Sequence, residues 1–220
     1  MDKEIENIIE MAKSGNAECQ YKLGCAYMSG ELVDYGIDID MQKSAYWFYS
    51  AALQGHYMAC FNVGIMFEDG VGFKQSFEKA FYWYKKSAEI GYSRAQLNVG
   101  NCYALGQGVE KSDEQAIIWW EKSARQDNLQ AQYNLGYAFA TGKRGEKSEQ
   151  KAIYWWEKAG SNKCADSQFN LAVFYNDKYL KEPNEILKNQ YALLRDYWLD
   201  LACEQKHDKA IEAREKIKNN

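Results

Sequence analysis

The chain has 220 residues, with 27 Lys and Arg against 31 Asp and Glu, and a formal net charge of -4. A mildly acidic chain without a basic block is a poor nucleic-acid binder, because such binding depends on neutralising phosphates. The 46% hydrophobic content argues against disorder, and one proline in the whole chain favours helix throughout.

The N-terminal sequence predicts a cytoplasmic protein. Met-Asp-Lys-Glu-Ile-Glu-Asn has neither the basic start nor the apolar core of a secretory signal. No apolar run approaches the ~18 residues of a membrane span, so no membrane partner is expected. The cysteines form no CxxC pair, and in a reducing cytosol all six are expected to be free thiols: Cys19, Cys25, Cys60, Cys102, Cys164 and Cys203.

Two sequence patterns repeat along the chain. A six-residue pattern that closes on Gly or Ala stands at 19–24, 59–64, 95–100, 131–136 and 167–172, with spacings of 40, 36, 36 and 36 residues. The second pattern carries Trp47, Trp83, Trp119 and Trp155, again 36 residues apart, and its fifth copy is assigned to Tyr197. Each of these four tryptophans precedes the next closing position by 17 residues, so the extra residues fall inside repeats, in loops at 31–40 and 178–187.

In chain order, the patterns predict an all-α fold. A capping helix in 1–16 is followed by five helix pairs, and a second capping helix lies in 206–220. In each pair, a glycine such as Gly70 ends the first helix and a serine such as Ser76 begins the second. The chain is therefore interpreted as one solenoid domain, 1–220, whose repeats are 17–55, 56–91, 92–127, 128–163 and 164–205.

The repeat resembles a known family. A 36-residue helix pair with Ala-x-x-x-Leu-Gly, a closing Gly and a downstream Ala-x-x-Trp-x-x-x-Ala is similar to the Sel1-like repeat (SLR) family, a relative of tetratricopeptide repeats, over roughly residues 17–203. The resemblance implies a right-handed α/α superhelix that acts as an adaptor or scaffold and has no enzymatic activity. Cysteine-rich members join consecutive repeats by disulfides. The matching positions here are alanines, so that subtype is not expected: Ala52 and Ala59, Ala88 and Ala95, Ala124 and Ala131.

The four tryptophans are expected to pack between the helices of each pair, as core rather than as a ligand site. What remains after the repeat consensus is a row of amides on the first helices, two residues before the closing Gly or Ala. In solenoids of this kind the first helices line a concave groove. The candidate partner-binding residues there are Lys22, Asn62, Met66, Arg94, Asn98, Asn101, Asn134, Tyr137, Asn170 and Phe174.

An amide can donate to and accept from a peptide backbone, so this row could hold an extended segment of a partner. Each such bond contributes only about 1 kcal/mol net, and Met66, Tyr137 and Phe174 would have to add apolar contact. The alternative is structural: the asparagines bond neighbouring repeats or loop carbonyls.

No catalytic, metal or cofactor site is predicted, and no small-molecule substrate. His56 and His207 lack metal-ligand spacing, and the acidic loop 34–40 lacks the ligand pattern of a calcium loop. Two functions are therefore considered. The first is a cytoplasmic adaptor that binds another protein or peptide in its groove. The second is a bacterial inhibitor, such as an immunity protein that neutralises a toxin, for which the charge of -4 would favour a basic partner.

Overall fold

The computed structural model describes residues 3–142 and 145–218. These residues form twelve α-helices and no strand. The helices are α1 (Lys3–Lys13), α2 (Ala17–Ser29), α3 (Met41–Leu53), α4 (Tyr57–Asp69), α5 (Phe77–Glu89), α6 (Ser93–Leu105), α7 (Asp113–Ala124), α8 (Leu129–Thr141), α9 (Glu149–Ser161), α10 (Ala165–Lys181), α11 (Glu185–Glu204) and α12 (Asp208–Lys218). A short 3₁₀ helix, Val33–Tyr35, lies in the predicted loop 31–40.

The chain divides into two compact units, Met1–Ser123 and Ala124–Asn220. In the first unit, α2 packs on α3 and α4 on α5, while α1 packs on α2. In the second unit, α8 packs on α9 and α10 on α11, while α12 packs on α11. The predicted all-α architecture of consecutive helix pairs is confirmed.

The helix ends follow from local sequence. The residues that follow α2, α4, α6 and α8 are glycines in the left-handed region, with φ between 64° and 73°. Serine caps begin the second helices as expected: the backbone N–H of Lys79 donates to Ser76 Oγ and that of Lys151 to Ser148 Oγ, both at 3.3 Å. These short-range signals explain why the boundaries could be predicted from the sequence.

In the first four pairs, a glycine on the first helix receives an aromatic ring from the second helix of the same pair. A Cβ added at Gly100 would lie 2.4 Å from Cδ1 of Trp120, and one at Gly136 would lie 2.3 Å from Cδ1 of Trp156. We call the space beside this glycine the notch. The aromatic residue that fills it stands directly after the repeated tryptophan in the sequence and is not that tryptophan. The notch residues are Phe48, Tyr84, Trp120 and Trp156.

The repeated tryptophans occupy a different place. Trp83 is buried and meets Tyr49 of the preceding second helix edge-on, with ring centroids 5.5 Å apart. Trp119 and Trp155 are also buried, whereas Trp47 is only half-buried. Trp83, Trp119 and Trp155 are thus core residues, as expected, although Trp83 bridges consecutive second helices.

The fifth pair corrects two sequence predictions. The extra residues assigned to a loop at 178–187 mostly lengthen the helices instead: α10 has 17 residues and α11 has 20, against 13 in α8 and in α9. Pro183 lies in the three-residue connection, outside both helices. The counterpart of Trp155 is Trp198, which is buried and 43 residues further on, whereas Tyr197 is 56% exposed.

Buried glutamines hold consecutive repeats together. The Nε2 of each donates to a backbone carbonyl at the end of the preceding helix, a group that has no partner within that helix. The distances are 3.1 Å for Gln20 to Ala12, 3.2 Å for Gln96 to Ala88, 3.0 Å for Gln132 to Ala124 and 2.8 Å for Gln168 to Gly160. In the second repeat Cys60 takes this place, and its Sγ lies 3.6 Å from the Ala52 carbonyl oxygen. Sequence reasoning missed this link, although glutamine recurs in four of the five copies of the six-residue pattern.

Histidine caps two of the first helices. His56 Nδ1 accepts the backbone N–H of Ala59 at 3.2 Å, and its Nε2 lies 3.0 Å from a carboxylate oxygen of Glu18. The ring also stacks on Tyr21, with centroids 4.6 Å apart. His207 repeats the arrangement with Ala210 and Asp166. Both histidines are therefore structural caps that also reach back to the preceding first helix.

We expect His56→Ala to lower the free energy of unfolding by about 1 kcal/mol, because the Ala59 N–H loses its cap. His56→Asn should cost less than half as much, since Asn128 makes the same bond to Ala131 in the fourth repeat, at 3.0 Å. Urea unfolding followed by circular dichroism measures both. Equal losses for the two variants would show that the stacking on Tyr21, not the cap, is what His56 contributes.

Candidate functional site

Five of the predicted residues in the first unit lie at its surface or are half-buried. Lys22 and Arg94 are exposed, and Lys22 pairs with Glu18 at 3.9 Å. Met66 is different: it is only 5% exposed and lies in the hydrophobic core beside Phe67. Its prediction as a groove contact is wrong, because the position four residues after the amide row faces the core, as Cys102 and Ala138 also do.

The amides of the first unit are partly engaged by aromatic residues. The Tyr84 hydroxyl donates to Glu68, and the Asn98 amide also interacts with that hydroxyl. Burial raises the pKa of Tyr84, so the hydroxyl stays protonated. Asn101 Oδ1 accepts the indole N–H of Trp120 at 3.0 Å. Asn98 and Asn101 therefore satisfy the polar ends of notch aromatics, and Asn62 is half-buried one repeat earlier.

The second unit holds the remaining predicted residues. Asn134 Oδ1 accepts from Gln130 Nε2 at 3.0 Å, and Phe174 is half-buried beneath the Lys178 ammonium, 5.3 Å from its ring centroid. Asn170 Nδ2 is buried and makes no hydrogen bond of good geometry among the described residues. Its amide still lies close enough to Tyr133 to offset part of the rise in pKa that burial causes there.

Tyr137 is the most exposed aromatic of the predicted set, at 44%. It stands 36 residues after Asn101, at the position that supplies the acceptor for Trp120. Trp156, the counterpart of Trp120, is buried, and its indole N–H has no partner in the part of the chain that the structure describes. Because position 137 holds tyrosine rather than asparagine, the buried indole N–H of Trp156 gains no acceptor from it, which costs about 1–3 kcal/mol of stability.

Charge is distributed unevenly between the two units. The sequence of the first unit holds 11 Lys and Arg against 17 Asp and Glu, whereas the second holds 16 against 14. The net charge of the whole chain therefore combines a strongly acidic unit with a slightly basic one. The prediction of a basic partner was drawn from the net charge of the whole chain, and it does not apply to the second unit.

Residues 3–142 and 145–218 contain no group of three or more His, Cys, Asp or Glu side chains placed to hold a metal ion. None of their helices has the length and apolar character needed to cross a bilayer. All six cysteines are free, and burial raises the pKa of Cys60 to about 11 and that of Cys102 to about 12. Those two thiols therefore remain protonated and unreactive at neutral pH.

The sequence matches the Sel1 repeat over residues 17–56, 58–92, 93–128 and 129–164. The fifth pair, α10 and α11, lies outside the matched segments. No match was found among curated proteins.

Similar folds occur among solved structures. The c5321 protective antigen of uropathogenic Escherichia coli, which displays an SLR fold, is 29% identical with a TM-score of 0.81; the match covers 94% of this chain and 42% of that one. A Sel1 repeat protein from Oxalobacter formigenes is 21% identical with a TM-score of 0.77, over 95% of this chain and 85% of that one. The chain thus spans less than half the length of c5321.

Proposed function

The chain belongs to the Sel1 repeat family, and on that premise we propose that it is a scaffold or adaptor that binds a partner protein on the exposed face of its first helices. Proteins of this family generally mediate protein–protein interactions and are typically not enzymes. In the second unit the proposed surface comprises Asn134 and Tyr137 on α8 and Asn170 and Phe174 on α10. In the first unit, Lys22, Asn62, Arg94, Asn98 and Asn101 hold the corresponding positions.

The observation that carries the proposal is Tyr137. An asparagine at this position pairs with the notch tryptophan one repeat earlier, so an amide would benefit the fold. The chain instead has a large, exposed aromatic and an unpaired indole N–H on Trp156. Tyrosine is enriched among the residues that dominate binding energy at protein interfaces. A residue that costs stability where it stands, and that suits an interface, supports a binding role for Tyr137.

We expect Tyr137→Asn to raise the free energy of unfolding by about 1 kcal/mol, because the new amide can accept from Trp156. The same change should reduce partner binding at least tenfold. Tyr154→Asn is the matched control, since Tyr154 is 58% exposed but lies on the second helix α9. Urea unfolding gives the stability, and affinity capture from the native cell with quantitative mass spectrometry gives the binding.

The proposal predicts one or more proteins captured by the wild type and by Tyr154→Asn, and lost with Tyr137→Asn. Equal capture by all three proteins would remove Tyr137 from the interface. The same experiment separates the two functions considered from the sequence. Several partners of moderate affinity indicate an adaptor, whereas one dominant partner at nanomolar affinity indicates an inhibitor.

A further inference from the structure

A cavity of about 220 Å³ opens among α10, α11 and α12 in the second unit. Its walls are nearly all apolar, and the polar residues among those that line it are Asn176, Arg195 and Lys216. The residues on which the inference rests are Ala172, Val173, Arg195, Leu199, Ala213 and Lys216.

The cavity arises where the fifth pair departs from the repeat. In the earlier pairs a glycine faces a large notch aromatic, as Gly136 faces Trp156. The corresponding residues in the fifth pair are Ala172 and Leu199, and both line the cavity. Leucine is much smaller than tryptophan, so the space that an indole fills in the fourth pair is not filled here.

A second departure places a charge in the same cavity. Arg195 stands three residues before Trp198, a position at which Ala80, Ala116 and Ala152 precede their tryptophans. It is only 9% exposed, unlike most arginines. A large cationic residue thus replaces a small apolar one in the repeat that holds this cavity.

Arg195 is held in place but not neutralised. Its Nε donates to Asp196 at 2.9 Å and its Nη1 to Asn176 at 3.4 Å, while the guanidinium lies over the ring of Tyr179. Asp196 is shared with a second guanidinium, that of Arg214, at 3.0 Å.

The balance of charge around the cavity is positive. Arg214 also pairs with Asp200 at 2.8 Å, and Lys216 adds a further cation to the wall. Of these charged residues only the two cations Arg195 and Lys216 line the cavity, which favours an additional carboxylate from outside.

We propose that this cavity receives one apolar side chain of a partner polypeptide, with a Glu or Asp beside that side chain paired to Arg195 and Lys216. The volume is below the roughly 300–1,000 Å³ of pockets for drug-sized ligands, and it suits a single side chain. A bound carboxylate would gain charge-assisted hydrogen bonds from these two cations. The inference rests on the proposed protein-binding function and adds the chemistry of the bound segment.

The test uses blocked octapeptides with a Gly-Ser frame and one of three central triplets: Glu-Leu-Glu, Lys-Leu-Lys or Glu-Ser-Glu. Binding to the full chain is followed by NMR, through shifts of the methyl groups of Ala172 and Ala213. The wild type should bind the Glu-Leu-Glu peptide at least tenfold more tightly than either of the others. Arg195→Ala, which restores the alanine of the other repeats, should weaken that binding about tenfold. Ala213→Leu, which fills the cavity without changing charge, should abolish it.

Circular dichroism and thermal melting establish that both variants fold. Equal binding of the Glu-Leu-Glu and Lys-Leu-Lys peptides, or binding unaffected by Arg195→Ala, would overturn the inference, as would no binding of any peptide at millimolar concentration. None of these outcomes bears on Tyr137. The partner-capture experiment with Tyr137→Asn therefore reports separately on the proposed function.

Discussion

Gly136→Ala should destabilise the second unit by about 1–3 kcal/mol, although alanine ordinarily stabilises a helix interior by about 1 kcal/mol relative to glycine. The reversal follows from the notch. The new methyl group would lie 2.3 Å from Cδ1 and 2.4 Å from Nε1 of Trp156, so ring or helix must move. Urea unfolding followed by circular dichroism measures the loss.

A double-mutant cycle tests whether the Trp156 ring is the cause. Trp156→Leu alone should cost about 2–4 kcal/mol, because it removes a buried aromatic. The double variant has the Ala and Leu pair found naturally at Ala172 and Leu199. Its loss of stability should be smaller than the sum of the two single losses by about 1 kcal/mol or more. Additive losses would place the strain elsewhere in α8.

Gly160 offers a matched glycine in the same unit. It is buried near the end of α9, at a position where the second and third repeats have Ala88 and Ala124. A Cβ there would lie 3.1 Å from its nearest neighbour, Cζ3 of Trp198, which leaves only a few tenths of an ångström to absorb. Gly160→Ala should therefore change the stability by less than Gly136→Ala does.

The fold could be predicted where a signal is local and repeated. Gly70 and Ser76 mark helix ends through their own backbone and side-chain chemistry, and the 36-residue spacing multiplies each signal. The fifth pair shows the limit of predicting helices from the spacing alone. A spacing cannot distinguish extra residues in a loop from extra residues in helices, and the adjacent aromatics Tyr197 and Trp198 allowed an alignment one residue out of register.

The candidate site was less predictable than the fold, for a different reason. A sequence pattern gives the positions of Asn98 and Met66 along a helix but not the direction of each side chain, and Met66 proved to be core. The role proposed for Tyr137 rests on the missing acceptor for Trp156 among the described residues, which only the packed structure reveals. The cavity likewise follows from small residues facing each other on separate helices, as Ala172 and Leu199 do.

Gln132→Ala should lower the free energy of unfolding of the second unit by about 2–4 kcal/mol, the sum of a lost buried hydrogen bond and a cavity. Gln132 is fully buried, and its Nε2 donates to the Ala124 carbonyl oxygen at 3.0 Å. Its Oε1 has no partner among the described residues, so part of the amide already costs stability. Removing the side chain relieves that cost, which keeps the expected loss moderate for so buried a residue.

Cys60→Ala is the matched control, because Cys60 holds the same position in the second repeat with only a weak 3.6 Å contact to the Ala52 carbonyl oxygen. It should cost about 1 kcal/mol, chiefly from lost packing. Gln132→Met keeps the volume but removes the donor, and should fall between the two because the buried Ala124 carbonyl then keeps only the Asp127 backbone N–H, at 3.1 Å, as a partner. If Gln132→Met were as stable as the wild type, packing alone would account for the junction. The recurrence of glutamine at four of five junctions would then need another explanation.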